Sequence, residues 1–150
     1  MAAGKNKLAL GVKILIDNEA GTPVDLTCDL VPGSIPETGI VREEIDMTGV
    51  CNDVGNALAG RGTAGSSLKF FMNDSATGAF THFSGLSLNK AITVTVQYGA
   101  SGADPTTGDP EWEGEYINLG FKVVQDGERM VLETDIKPTG STAPAWGTVA

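Results

Sequence analysis

The sequence predicts an all-β fold, a β-sandwich or partial barrel of six to seven strands with one short helix and one long loop. Apolar and polar residues alternate in most of the patterned segments, as they do along half-buried strands. Twenty glycines, with only 6% aromatic and 41% hydrophobic residues, indicate many turns between short strands. Because 150 residues suffice for one ordinary domain but not for two, we expect residues 1–150 to fold as a single domain.

The first two predicted strands form a hairpin. Residues 8–16, LALGVKILI, place an apolar side chain at every second position. The turn-rich stretch DNEAGTP leads into residues 24–31, VDLTCDLV, which alternate in the same way and put Cys28 on the apolar face. Cys28 and Cys51 are too few for a disulfide framework or a metal site, so we expect two reduced thiols.

A third strand is predicted over residues 39–49, with Val41, Ile45 and Met47 facing inward. Residues 49–66 are rich in glycine and are expected to form a long, flexible loop. A compact domain rarely tolerates such a loop unless the loop has a function. This loop is therefore the first candidate for a functional segment.

Two strands and a helix are predicted after the loop. Residues 67–73, SLKFFMN, alternate as a strand. Asp74 is the candidate N-cap of a short helix that carries Phe80 and Phe83 on one stripe. Residues 91–98, AITVTVQY, show the most regular strand alternation in the chain.

The remainder of the chain predicts one more hairpin. Residues 99–115 form a polar excursion, and the strands YINLGFKVV and RMVLETDIK then flank QDGE. The Asp126-Gly127 pair in that turn is typical of a two-residue hairpin connection. Residues 1–7 and 138–150 lack periodicity and are expected to be N-terminal and C-terminal arms.

Charge and hydrophobicity exclude several classes of protein. A formal net charge of −9 leaves no surplus of lysine and arginine to bind nucleic-acid phosphates. Lys13 interrupts the N-terminal apolar run, and Asp17 and Glu19 close it, so we expect no signal peptide. No stretch approaches the ~20 apolar residues of a membrane span, so no membrane partner is expected.

The stretch GRGTAGSS, residues 60–67, has the glycine spacing of a nucleotide-binding loop. Such a loop needs a buried strand before it and a helix after it. Here a polar, glycine-rich stretch comes first and a strand pattern follows, and Ser66 stands where a phosphate-binding loop has its lysine. We therefore expect a flexible loop and no nucleotide cofactor.

Catalytic residues are also not indicated. The only histidine, His82, lies near Ser84 and Ser87 in sequence. Triad groups usually converge from separate parts of a fold, however, and no nucleophile-elbow motif is present. We expect His82 to be a partly exposed helix residue and the protein not to be an enzyme.

The stretch 104–115, which is rich in acidic residues, is the one candidate cation site. The argument for Ca²⁺ there is the number of acidic side chains alone, because their spacing is not that of an EF-hand. A solvated loop is the favoured alternative, so we predict no metal and no other cofactor. Trp112, in the same stretch, is the candidate contact residue, since an exposed tryptophan often marks a contact surface.

The order of several segments carries a family resemblance. These are GIVREEIDMTG, the glycine-rich loop, SLKFFMN, the helix DSATGAFTHFSGL, AITVTVQYG and the closing FKVVQDGERMVLETDIKPTG. Together, over residues 8–140, they resemble the major tail tube proteins of long-tailed, non-contractile (siphovirus-type) bacteriophages. The stretch DIKPTG, residues 135–140, is similar to the final strand of that family.

The resemblance implies a structural virion protein. Its copies would assemble into hexameric rings that stack helically into a tail tube, through which DNA passes during ejection without specific binding. Its partners would be further copies of itself, the tape measure protein, the tail terminator and baseplate or tail-tip proteins. The location would be the virion tail, after assembly in the host cytoplasm.

The resemblance also suggests roles for two sets of residues. Glu43, Glu44 and Asp46 are candidates for facing the lumen, because carboxylates there would repel DNA. In the tail tube the loop at 49–66 would dock on neighbouring copies, through Gly49, Val50, Val54, Leu58, Gly60, Arg61, Gly62 and Gly65.

An alternative function is a surface-binding β-sandwich, such as a pilus-like subunit or a carbohydrate-binding domain, with residues 99–115 as its contact loop.

Overall fold

The structure of the protein is a computed structural model that describes residues 11–51, 55, 57–100, 103–139 and 143–150. Within these ranges it contains ten strands and one α-helix. In chain order they are β1 (Val12–Asp17), β2 (Pro23–Asp25), β3 (Val41–Asp46), β4 (Ala57–Thr63), β5 (Ser66–Phe71), α1 (Ala79–Ser84), β6 (Ala91–Tyr98), β7 (Pro110–Asn118), β8 (Lys122–Asp126), β9 (Arg129–Pro138) and β10 (Ala145–Thr148).

Eight strands form one antiparallel sheet that curls into a partial barrel. The strand order is β2-β1-β6-β7-β9-β5, with β10 also paired to β7 and β8 to β9. The two ends of the sheet approach each other where Leu30, after β2, forms a bridge to Phe70 of β5. The Val31 N–H beside it donates a hydrogen bond to the Lys69 carbonyl at 3.1 Å. The all-β prediction is confirmed, although more strands are present than expected.

Apolar side chains from alternate strand positions fill the interior of the barrel. The predicted strand at 91–98 coincides with β6, and its inward residues Ile92, Val94 and Val96 are at most 2% exposed. This agreement follows from the sequence, because apolar β-branched residues alternate there with threonine. The residues of the core that are no more than 2% exposed are Ile14, Ile16, Leu26, Leu68, Phe70, Ala79, Phe83, Ile92, Val94, Val96, Trp112, Tyr116, Leu132 and Ile136.

Strands β7 to β10 form one long antiparallel ribbon. The β8–β9 hairpin turns at Gly127, whose φ of +62° suits glycine, so the hairpin predicted around Asp126-Gly127 is confirmed. The polar excursion predicted for 99–115 is wrong from Pro110 onward, where β7 begins. The prediction fails because acidic residues, which are typical of loops, alternate with buried residues along this strand.

The C-terminal arm predicted for 138–150 is in part a strand. Residues 145–148 are β10, which continues the line of β9 and pairs with the N-terminal half of β7. Gly114 of β7 leaves space for Pro144, because a Cβ at that glycine would lie 2.6 Å from the proline ring. The N-terminal arm, residues 1–7, and residues 140–142 lie outside the described residues.

The second predicted strand is shorter than expected, and Cys28 is exposed rather than apolar-facing. β2 ends at Asp25, whose carboxylate accepts hydrogen bonds from the Thr27 backbone at 3.0 Å and hydroxyl at 2.6 Å. This side-chain turn starts a 3-10 turn, Thr27–Asp29, which contains Cys28. These local hydrogen bonds therefore end the strand, although apolar and polar residues continue to alternate in the sequence.

The short helix exists but begins later than predicted. Gly78, not Asp74, is its N-cap residue. The Ala79 N–H donates instead to the Asp29 carboxylate at 2.9 Å, so a cap is supplied by a distant segment. α1 closes one end of the barrel, where the Phe83 ring lies 5.6 Å from that of Phe70. We call this the helix end.

The other end, which we call the arm end, carries a separate hairpin. Thr38 joins Tyr98 at the end of β6 through a 2.6 Å hydroxyl–hydroxyl hydrogen bond, and the chain then leaves the barrel. Within the part of the chain that the structure describes, β3 and β4 pair only with each other before the chain returns at β5. We call residues 41–63 the arm. Its residues 52–54 and 56 lie outside the described residues.

Candidate assembly surfaces

The arm replaces the loop predicted at 49–66. The second half of that loop is β4, which places Leu58, Gly60, Arg61 and Gly62 on a strand, and Gly65 follows in the turn to β5. Gly49 and Val50 follow β3, whereas Val54 lies outside the described residues. The sequence prediction failed because the glycines of β4 conceal its strand pattern.

The apolar side chains of the arm are exposed, and the prediction that Val41, Ile45 and Met47 face inward is wrong. They are 76%, 44% and 52% exposed, and all six residues of β3 are exposed. Ile45 lies directly opposite Leu58, which is 56% exposed. The alternation of β3 is real, but the described chain provides no core for it. The arm is therefore a two-stranded ribbon with unpaired edges, a form suited to pairing with another chain.

The exposed large apolar side chains of the described residues lie at the two ends of the barrel. Ten such side chains are exposed, and the rest of the described surface has none. The arm-end patch consists of Val41, Ile45, Met47, Val50, Leu58 and Trp146, and the helix-end patch consists of Met72, Leu88, Leu119 and Met130.

The helix-end patch is built by loops that leave the barrel strands. The Met72 N–H, just after β5, donates to the Met130 carbonyl at 3.1 Å, which brings the two methionines together. Leu88 follows α1 and lies against Gly120, next to Leu119. No sequence signal identified this patch, because its members come from four separate segments.

Trp112, the predicted contact residue, is buried. It is 2% exposed, and its Nε1–H donates to the Tyr116 hydroxyl at 2.8 Å. Burial raises the pKa of Tyr116 above its ordinary value, so this hydroxyl stays neutral. Trp146 is the exposed tryptophan, at 54%, and its ring packs 5.1 Å from that of Trp112. The period-two spacing of Trp112, Gly114 and Tyr116 was the signal for burial.

The three candidate lumen residues lie on β3 but do not share one face. Glu43 and Glu44 are neighbours on the strand, so their side chains point to opposite sides. Glu44 and Asp46 share a face, and hydrogen bonds from Thr48 lower the pKa of Asp46. All three are exposed. Their orientation relative to any channel stays a prediction.

His82 is buried, which corrects the expectation of a partly exposed residue. It is 8% exposed, its Nε2 has no hydrogen-bond partner among the described residues, and its ring contacts Phe83 edge-on with the ring centroids 5.2 Å apart. Burial lowers the pKa of His82 below 6.5, while the backbone and carboxylate of Asp17 oppose this change. The nearby serines have other partners: the Ser87 N–H and hydroxyl donate to the Glu19 carboxylate at 3.0 and 2.9 Å, and the Ser84 hydroxyl donates to the Thr81 carbonyl at 3.3 Å.

His82 should make the fold sensitive to mild acid. Below about pH 6.5 the unfolded chain binds the imidazole proton more readily than the folded chain does. Stability should therefore be complete above pH 6.5 and fall as the pH decreases toward the lowered pKa, by at most about 1.4 kcal/mol per pH unit. Urea unfolding from pH 7 to pH 5 measures this. His82→Gln should remove the slope between pH 6.5 and 5.5, and a slope unchanged in that variant would contradict the assignment.

The described residues contain no group of three or more His, Cys, Asp or Glu side chains arranged to hold a metal ion. GRGTAGSS runs from β4 through a turn into β5, so the helix that a phosphate-binding loop requires does not follow it. Within the described ranges, no helix has the length and apolar content needed to cross a membrane.

Solved structures of injection particles share this fold. No protein-family model and no curated protein matches the chain. A chain of the anti-feeding prophage baseplate, symmetrised sixfold, is 9% identical with a TM-score of 0.71, and the match covers 97% of both chains. A chain from the sheath/tube terminator of an extracellular contractile injection system, PVC, is 10% identical with a TM-score of 0.66, over 97% of this chain and 99% of that one.

A third similar chain comes from the extended sheath–tube complex of the same PVC system. It is 13% identical with a TM-score of 0.62, and the match covers 96% of this chain and 93% of that one. At such identities the likeness shows the fold alone. The protein therefore has a fold found in tail-like contractile particles, and its narrower resemblance to tail tubes of non-contractile phages stays a prediction.

Proposed function

We propose that the protein is a structural subunit of a phage-tail-like particle and that its copies stack end to end into a tube. The observation that carries this proposal is the separation of exposed apolar side chains into the arm-end and helix-end patches. A twofold dimer formed through either patch would leave the other patch exposed. A head-to-tail contact of the arm end with the helix end covers both patches and repeats along a tube.

The similar fold of baseplate, terminator and sheath–tube chains supports a role in such a particle. On this proposal hexameric rings stack around a lumen that lets DNA pass without binding it. The tape measure, terminator and baseplate proteins contact the ends of the tube. The particle forms in the host cytoplasm and the protein remains in the virion tail. The net charge of −9 is compatible with a conduit that repels DNA.

The alternative of a surface-binding module is less well supported. Its contact loop, residues 99–115, requires Trp112 at the surface, and that side chain is inside the barrel. The later part of the loop is a strand in the middle of the sheet. We therefore retain the assembly function.

The helix-end patch provides a test. Met72→Lys combined with Met130→Lys should abolish end-to-end assembly, because charges would be buried against the apolar arm end of the next copy. Sedimentation velocity at increasing protein concentration measures the loss. Met72→Leu with Met130→Leu is the matched control and should assemble normally. If the lysine variant is folded and assembles as well as the control does, this end is not an interface.

A further inference from the structure

The helix α1 closes the helix end of the barrel without joining the sheet. Six residues are too few for a helix to be stable by itself, so α1 depends on its packing. Its buried side chains are those of Ala79, His82 and Phe83. The Phe83 ring packs against those of Phe70 and Phe121, with centroids 5.6 and 6.4 Å apart. One of the three side chains that hold α1 on the barrel, the histidine, is therefore ionisable.

The imidazole of His82 lies in a site suited to its neutral form. Its Nε2 atom is buried and has no hydrogen-bond partner among the described residues. In a neutral imidazole this nitrogen can remain an unprotonated acceptor, whereas protonation makes it a charged donor. The neighbouring ring of Phe83, nearly perpendicular to the imidazole, offers no oxygen or nitrogen atom. Protonation in place therefore leaves a buried N–H without an acceptor, which is costly.

Asp17 is the charged residue that acts on the imidazole within the described part of the chain. It ends β1, and its backbone and carboxylate favour the protonated ring, but burial outweighs them and lowers the pKa of His82. Asp29, in the turn after β2, has both carboxylate oxygens occupied. They accept hydrogen bonds from the Ala79 N–H at 2.9 Å and from the Asn73 amide at 3.0 Å, and so hold the start of α1.

The barrel elements that contact α1 are apolar where they meet it. β5 contributes Phe70, and Phe121, just before β8, contacts aromatic rings of the helix. The lysines beside them, Lys69 and Lys122, are exposed and pair with Glu133 at 3.5 and 3.8 Å. Among the described residues, these elements therefore offer no further carboxylate to a protonated imidazole.

The chain just after the helix is fixed by bonds that do not involve the imidazole. The Ser87 N–H and hydroxyl donate to Glu19, whose charge is also stabilised by Lys90. The Ser87 carbonyl accepts the Asn118 amide at 2.9 Å. These bonds keep the chain on the barrel from Ser87 onward. The segment whose attachment depends on packing therefore ends at Leu86.

We propose that His82 is an acid-operated latch: when its imidazole takes up a proton, residues 79–86 detach from the barrel while the sheet stays folded. The proton binds at Nε2, and detachment brings this nitrogen into water, which supplies the acceptor that the closed site lacks. The detached segment loses its helix, because so short a helix does not persist without packing. The change takes place in a single copy and does not depend on tube assembly.

Native-state amide hydrogen exchange of the dilute, unassembled protein, near pH 7 and near pH 5.5, tests the latch. After correction for intrinsic exchange, the protection of residues 79–86 should fall by up to about eightfold at the lower pH, because the pKa of the detached imidazole returns to about 6.5. Urea below the unfolding transition distinguishes this opening from unfolding of the whole barrel. A local opening exposes little surface, so protection of 79–86 should change little with urea, whereas that of β6 should fall steeply.

The variant His82→Gln removes the proton site, and its residues 79–86 should be equally protected at both pH values. A pH effect that persists in this variant would overturn the latch. The same urea dependence for 79–86 as for β6 in the natural chain would overturn it as well, because the acid effect would then be global unfolding.

A titration followed by nuclear magnetic resonance tests the natural chain directly and does not depend on the variant. His82 is the only histidine, so its ring signals are free of overlap with those of another imidazole. On protonation the imidazole should lose its contact with the Phe83 ring while the signals of β6 stay those of the folded barrel. A protonated imidazole that keeps this contact would overturn the latch, because the closed site would then tolerate the charge.

Discussion

Replacing Trp112 by alanine is expected to lower the free energy of unfolding by about 3–5 kcal/mol, the usual cost of truncating a buried aromatic residue. The indole is 2% exposed, donates to the Tyr116 hydroxyl and supports the ring of Trp146. Its loss leaves a cavity inside the barrel and removes the partner of a buried hydroxyl. Urea unfolding, monitored by circular dichroism, measures the change.

Trp112→Phe is the matched control for this experiment. It keeps most of the apolar contact and removes only the indole N–H, so its cost should be smaller, about 1–3 kcal/mol. If Trp112→Ala costs less than about 1 kcal/mol, Trp112 lies on the surface, as the sequence first suggested. That outcome would reopen the surface-binding alternative.

Placing lysines on the arm is expected to abolish assembly without unfolding the protein. Ile45 and Leu58 lie opposite each other and are both largely exposed in the single copy, so Ile45→Lys with Leu58→Lys should change stability by about 1 kcal/mol or less. In the proposed tube the same positions are buried against neighbouring copies, where unpaired charges are costly. Sedimentation velocity should show loss of large species, and thermal unfolding should remain cooperative near the natural temperature.

Ile45→Val with Leu58→Ile serves as the control, because it keeps the arm apolar and should assemble. Normal assembly of the folded lysine variant would remove the arm from the interface. Equal loss of assembly in the control would show that the added charge is not the cause of the defect. Unfolding of the lysine variant would instead indicate that the arm packs on its own barrel.

The sequence predicted most accurately those strands whose two faces differ within one copy. β6 alternates β-branched residues with threonine and glutamine, and it was predicted residue for residue because its apolar face meets the core. The β8–β9 hairpin was predicted through Gly127, which supplies the positive φ of the turn. In both cases local preference and burial favour the same structure.

The errors occur where a distant contact decides the structure. β3 alternates like a core strand, yet its apolar side chains have no core within the described chain. The helix start depended on Asp29, fifty residues before Ala79, and so could not be identified from residues near Asp74. β10 is a strand because β7 offers it an edge, although Ala145–Thr148 has little periodicity of its own. The candidate surfaces follow the same rule, because the helix-end patch unites residues from four segments.

Electron microscopy of the purified natural protein at high concentration distinguishes a stacking subunit from a single copy or a dimer. If copies stack end to end, micrographs should show hollow tubes with a central channel and a regular axial repeat, in which each copy contacts the next through its arm end and helix end. A concentrated solution of folded protein with only dispersed single copies or closed twofold dimers would show that the copies do not stack.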